Sequence, residues 1–155
     1  MPVVSNSSPL IALAEIRQLG LLQQLFGSVW IPSAVVAEIA PSLPRRPDWI
    51  EIKELTRPIP PVLLRRTLGS GERETLALAL ESEPRWVILD DFAARRAAMA
   101  LALPVIGTLG VLVRAKEAKL IDAIRPYVDE LAAGRFFVGE ELYRDLLRSV
   151  GEALD

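Results

Sequence analysis

Trp86-Val87-Ile88-Leu89-Asp90-Asp91 is the stretch on which the fold turns. Its first four residues form an unbroken apolar run of strand length, followed at once by two aspartates. Continuous runs of this kind belong to strands covered on both faces of a parallel sheet. Upstream, Leu68-Gly69-Ser70-Gly71 is a break, and Glu72 to Glu81 is a helical run with Leu76, Ala77 and Leu80 to pack. Downstream, Phe92 to Leu101 reads as a helix, Val105-Ile106 as a short strand, and Thr108 as the cap of a helix to Lys119. Helix, strand, helix, strand, helix is the signature of an α/β fold with a mostly parallel sheet and right-handed crossovers.

The N-terminal half repeats the alternation. Val3-Val4-Ser5 predicts a buried strand, with Ser8 as N-cap and Pro9 as first residue of the next helix. Leu10, Ile11, Leu13, Ala14 and Ile16 carry the helical pattern, Gly20 punctuates it, and Leu21 to Phe26 is a second short helix. Ser28 to Ile31 predicts a second strand. Pro32-Ser33 opens a helix with Val35, Val36 and Ile39 on one side and Glu38 within it. Trp49 to Ile52 alternates as a third strand. Val62 to Thr67 predicts a short helix, and the chain beyond Lys119 reads as helical. In its last segment, Glu140 to Val150, Leu142, Leu146 and Val150 share a face, with Tyr143 and Leu147 beside them. That face packs on the core or joins a second copy.

Composition narrows the chemistry. The 155 residues suit one domain over 1–155, and 51% hydrophobic residues with 25% charged ones are enough for a sizeable core. Cysteine and histidine are both absent, so disulfides, zinc-thiolate sites, Ser-His-Asp hydrolysis and imidazole ligation are excluded. A metal must be held by oxygen, which favours Mg²⁺ or Mn²⁺. Net charge is only −2, unlike a generic nucleic-acid binder, although 15 of the 18 basic residues are arginine and offer planar phosphate contacts. The first residues lack a secretory pattern. The uncharged stretch from Ala97 to Val113 is interrupted by Pro104, Gly107 and Gly110 and is not expected to span a membrane. A soluble, cytoplasmic protein is expected.

In a parallel sheet, ligands bind beyond the carboxyl ends of the strands. Asn6 follows the first strand, Asp90 and Asp91 follow the fourth, Glu72 and Glu74 open the helix before it, and Glu38 lies about two turns into the helix after the second. Each has a plain structural role available: Asp90 or Asp91 as a helix cap, Glu72 and Glu74 as first-turn acids, Glu38 on a solvated face, Asn6 in a turn. Together they suggest a cluster whose mutual repulsion a divalent cation would relieve, and which would then serve phosphodiester hydrolysis. A haloacid-dehalogenase-type phosphatase needs an aspartate after strand one, and a dinucleotide-binding enzyme needs a glycine-rich first turn. Ser5-Asn6-Ser7-Ser8-Pro9 offers neither.

Val4-Ser5-Asn6-Ser7-Ser8-Pro9-Leu10-Ile11-Ala12-Leu13, Ile31 to Glu38, Gly71-Glu72-Arg73-Glu74, Leu89-Asp90-Asp91 and Gly107 to Leu112 resemble, in order, the PIN-like family DUF3368. The resemblance spans nearly the whole chain. It implies a three-layer PIN fold with a central, mostly parallel sheet of about five strands. It implies a Mg²⁺- or Mn²⁺-dependent ribonuclease, the toxin of a toxin–antitoxin pair, with an RNA substrate, an antitoxin protein as partner and a homodimeric state. The family's acidic positions map to Asn6, Glu38, Glu72 and Asp91, with Glu74 and Asp90 as one-step alternatives and Ser7 or Ser8 as a hydroxyl beside the metal. The first position is usually aspartate, and here it is Asn6, a neutral ligand. Arg45, Arg46, Arg95 and Arg96 are candidates to hold the RNA backbone, or are simply solvated. The alternative is a PIN-like module that has lost catalysis and binds RNA or protein.

Overall fold

A computed structural model of the chain describes residues 1–64 and 67–153. Five parallel strands form its sheet: β1 (Val3–Ser5), β2 (Val29–Ile31), β3 (Ile50–Ile52), β4 (Trp86–Ile88) and β5 (Val105–Ile106), in the order β3-β2-β1-β4-β5. The intervening helices are α1 (Ser7–Glu15), α2 (Gly20–Phe26), α3 (Ser33–Ile39), α4 (Pro61–Leu64), α5 (Ser70–Ser82), α6 (Phe92–Ala100) and α7 (Thr108–Glu117). Two more, α8 (Arg125–Ala133) and α9 (Glu140–Ser149), follow the last strand.

The run around Val87 shows why the sheet lies between two layers. Successive strand residues point to opposite faces. Val87 and Leu89 join a core with Leu63, Leu76 and Ala97, drawn from α4, α5 and α6. Ile88 joins the opposite core with Leu10, Leu22, Leu112, Val128 and Leu147, drawn from α1, α2, α7, α8 and α9. Val87, Ile88 and Leu89 are fully buried, and burying such a side chain is worth about 1.5–3 kcal/mol. A polar residue at any of them would have no solvated side to turn to.

The chain builds β1, β2 and β3 outward in one direction, then returns to lay β4 and β5 on the other side of β1. Strand order therefore reverses between β1 and β4, which pair through Val3 with Trp86, Val4 with Val87 and Ser5 with Ile88. The crevice at that switch point opens beyond Ser5 and Ile88, where Asn6 and Asp90-Asp91 begin the next segments.

Several local expectations are corrected. Helix α1 starts at Ser7 with Asn6 in the cap position, so Ser8 and Pro9 lie inside the first turn. Proline is tolerated there because the first turn's N–H groups have no intrahelical acceptor. Thr108 is the first residue of α7 and Gly107 occupies the cap position. Helix α4 is described over Pro61–Leu64; of the rest of the expected helix, Arg65 and Arg66 lie outside the described residues and Thr67 is not helical. The C-terminal face is centred differently too. Leu147 is fully buried and Tyr143, Leu146 and Val150 pack around it at helical spacing, while Leu142 is 51% exposed. The uncharged stretch divides into the end of α6, β5 and the start of α7. Among the described residues, no helix is long and apolar enough to cross a membrane.

Candidate active site

Asn6 sits at the bottom of the switch-point crevice. It is 2% exposed and its backbone N–H donates to the Ile88 carbonyl at 3.1 Å, which ties the end of β1 to β4. Its side-chain Oδ1 is buried without a hydrogen-bond partner. A buried acceptor left unpaired costs roughly 1–3 kcal/mol, so this oxygen is free to accept from a donor or to ligate a cation.

Three carboxylates stand around this crevice on different elements. Glu38, near the end of α3, accepts a hydrogen bond from the Ser7 hydroxyl at 2.8 Å. Its carboxylate lies directly on Gly71 of α5, where an added Cβ would be 2.1 Å from Oε1. Glu72, in the first turn of α5, accepts from the Gly69 N–H at 2.8 Å. Burial pushes the Glu72 carboxyl above its ordinary range against the pull of that N–H, and the neighbouring charges of Asp91 and Glu38 push the same way. Asp91 caps α6 by accepting from the Ala94 N–H at 2.9 Å and presents its carboxylate toward Glu72.

The neighbouring acids have other partners. Glu74 turns to the start of α3 and accepts from the Ala34 N–H at 3.1 Å. Asp90 reaches across to α7 and accepts from both the N–H and the hydroxyl of Thr108, at 2.8 and 2.5 Å. Burial raises the Asp90 carboxyl, while the two Thr108 hydrogen bonds and nearby Arg95 draw it down. Asp90 is thus a strut between the ends of β4 and β5. Of the one-step alternatives, the geometry brings Glu72 and Asp91 together and engages Glu74 and Asp90 elsewhere. Ser7 rather than Ser8 touches the cluster; Ser8 is exposed and lines a separate groove with Ile11 and Glu15.

Among the described residues, no three carboxylates are close enough to ligate one ion as the side chains stand. The donors nevertheless suit a hard divalent cation: carboxylate and amide oxygens only, with one amide oxygen already stripped of partners. Glu38 and Asp91 are solvent-exposed, so turning either inward costs little beyond one hydrogen bond.

A family model described as DUF3368, PIN domain, matches residues 2–152. The chain belongs to this PIN-domain family. No curated protein and no solved structure matches it. The five-stranded parallel sheet flanked by helices is the architecture expected of a PIN domain.

The four candidate arginines of this PIN domain divide between the two ends of the sheet. Arg45 and Arg46 lie in the connection from α3 to β3, at the amino ends of the strands, and are not brought to the carboxylates. Arg46 donates to the carbonyl of Ile50 on the edge strand. Arg95 and Arg96 lie on α6, directly after Asp91. Arg95 donates to the Leu89 carbonyl at 2.9 Å, and Arg96 stands over the Phe92 ring at 5.7 Å.

Two features of the site were not singled out from the sequence. Gly71 stands in a sequence break and in the family-like run Gly71-Glu72-Arg73-Glu74, but neither indicates that it is the surface on which Glu38 rests. Phe136 and Phe137 went unremarked, yet with Arg95 and Gly107 they line a cavity of about 470 Å³ beside Asp90. An adjacent aromatic pair after Gly134-Arg135 was the available signal.

Proposed function

We propose that this PIN domain, acting as one domain over residues 1–155, is a Mg²⁺- or Mn²⁺-dependent endoribonuclease and the toxin of a toxin–antitoxin pair. The observation that carries the reading is Glu72, whose half-buried carboxyl has the charges of Asp91 and Glu38 as neighbours, at the same end of the sheet as the unpartnered oxygen of Asn6. Like charges gathered at that cost favour a cation between them.

Glu38, Glu72 and Asp91 would hold the metal, with Asn6 as a neutral oxygen donor. When bound, such an ion supplies Lewis acidity toward water and the phosphodiester, a route that needs neither histidine nor cysteine. The chain's own residues do the positioning. The Ser7 hydroxyl orients Glu38, the Gly69 N–H orients Glu72, and the cap of α6 orients Asp91. Arg95 and Arg96, next to Asp91, meet the RNA backbone by charge. Phe92 and Met99 are 73% and 60% exposed and two turns apart on α6, and they offer an apolar surface for a homodimer. The antitoxin is a protein partner, and the setting is the cytoplasm.

A second reading rests on Asn6 itself. An amide brings no charge, so a module that binds RNA or protein without cleaving would keep this fold and lose this activity. Cleavage of single-stranded RNA in Mn²⁺, abolished by EDTA and by Glu72→Gln, supports the nuclease. Intact RNA at millimolar Mn²⁺ with a folded protein sinks it in favour of the binding module.

A further inference from the structure

The cavity beside Asp90 is distinct in character from the carboxylate crevice. It lies at the carboxyl end of β5, floored by Gly107 and walled by Phe136, Phe137 and Leu142, with Asp90 and Arg95 along one edge. Phe137 is 89% exposed and Leu142 51%. The Phe137 ring draws little stabilisation from the core, and its face is free to stack against a flat ligand. The floor is narrow by construction. A Cβ on Gly107 would come within 2.8 Å of an Arg95 guanidinium nitrogen and 3.0 Å of Asp90 Oδ1. Arg95 is itself anchored by its hydrogen bond to the Leu89 carbonyl. The guanidinium therefore stands fixed at the edge of the cavity, beside Asp90.

We propose that this cavity is a base-binding subsite, which takes one unpaired nucleobase of the RNA against Phe137 while Arg95 meets the adjoining phosphate. The proposal deepens the nuclease reading and rests on it for the identity of the polymer. Three observations choose a nucleotide as occupant. Asp90 lines the cavity and its chain neighbour Asp91 stands in the carboxylate cluster, so the two places are one residue apart along the protein chain and a polymer held at one can reach the other. Its walls pair an open aromatic face with a fixed cation, which matches a flat π-surface joined to an anion. Its volume lies in the range of small-ligand sites, too small for a packed protein element. The substrate class follows. In an A-form duplex the base faces are stacked and covered, so a subsite that stacks a base selects single-stranded loops and ends.

The test is titration of the full chain, in Mg²⁺, with a fluorescent single-stranded RNA decamer whose 2′-hydroxyls are methylated against cleavage, alongside the matching duplex. Wild type should bind the single strand more tightly than the duplex. Phe137→Ala should weaken single-strand binding about five- to a hundredfold, the usual worth of one stacked base. Because Phe137 is exposed, the variant should melt with the wild type. A 4-thiouridine decamer should crosslink at Phe136 or Phe137. Equal binding by Phe137→Ala, equal binding of duplex and single strand, or binding of an apolar peptide with no oligonucleotide binding would each overturn the subsite. The nuclease reading fails separately. If RNA is bound through Phe137 but never cut in Mn²⁺, the subsite stands and the catalytic assignment falls. If RNA is cut but Phe137→Ala cuts and binds as wild type does, the reverse holds.

Discussion

Gly71→Ala is the substitution that most sharply separates the site from the scaffold. The new Cβ would be 2.1 Å from Glu38 Oε1, 2.6 Å from Cδ and 2.7 Å from Oε2. Ordinary contact begins near 3.4 Å, so the carboxylate must retreat by roughly 1.3 Å. That movement breaks its 2.8 Å hydrogen bond from Ser7 and draws it away from Glu72 and Asp91. Stability should barely change. Alanine gains about 0.5–1 kcal/mol over glycine within a helix, and the lost hydrogen bond costs about 0.5–1.5 kcal/mol. Function should fall far more, since a misplacement of about 1 Å in a catalytic group costs on the order of a hundredfold in rate. The assay pairs thermal denaturation with Mn²⁺-dependent cleavage of single-stranded RNA. The expected result is a melting temperature near wild type with activity down about a hundredfold. Undiminished cleavage would refute the placement of Glu38 at the reacting centre, and a protein that failed to fold would refute the balance of the two stability terms.

Three other perturbations follow from the same geometry. Asn6→Asp restores a charge at the unpartnered position: a unit charge pair a few ångströms apart is worth ~4 kcal/mol at an effective dielectric of about 20, so Mn²⁺ affinity by calorimetry should rise at least about tenfold, while the metal-free protein should melt lower. Because burial and its neighbours raise the Glu72 carboxyl, Glu72's contribution to stability is fully present below its ordinary range and is lost as pH rises through the raised value; Glu72→Gln should therefore stabilise the metal-free protein at neutral pH, flatten that pH dependence, and lower Mn²⁺ affinity by more than about tenfold, whereas a loss of stability at neutral pH would count against the crowding of carboxylates. Glu152 closes the C-terminal end by accepting from the Lys116 ammonium at 2.8 Å and from the N–H groups of Ile124 and Arg125 at 2.8 and 3.1 Å, so Glu152→Ala should cost about 1–3 kcal/mol in urea unfolding without altering cleavage, and an unchanged midpoint would show that this tail contact contributes nothing.

The fold was legible because its decisive signals are local. The run at 86–89, the short strand at 105–106 and the helical spacing from Glu72 onward each name an element without reference to any other part of the chain. The alternation of those elements then leaves a parallel sheet as the economical arrangement. Strand order was less accessible. Nothing within Val3-Val4-Ser5 states that it lies between β2 and β4; that follows from which hydrophobic faces the helices cover on both sides. The helix starts were misread for the same reason. Thr108 looks like a cap to any local rule, but the N–H at the start of α7 is satisfied by Asp90, 18 residues upstream, and Ser8 gives way to Asn6 in the cap position of α1 because Asn6 directly follows β1.

That substitution of distant for local partners also explains how the acidic positions sort themselves. In sequence, Glu72 and Glu74 are equivalent first-turn acids, and Asp90 and Asp91 are equivalent residues after a strand. The fold supplies two orphan helix starts, at Ala34 and Thr108; the first takes Glu74 from one ambiguous pair and the second takes Asp90 from the other. A carboxylate that satisfies a buried N–H across the structure is held by that bond and is poorly placed to turn toward an ion. Glu72 and Asp91 bond within their own first turns, to Gly69 and Ala94, and keep their carboxylates facing the crevice. The choice within each pair is therefore made by the needs of α3 and α7, elements that carry no site residue except Glu38. A one-residue shift in either acidic pair would cost the scaffold a cap before it cost the site a ligand.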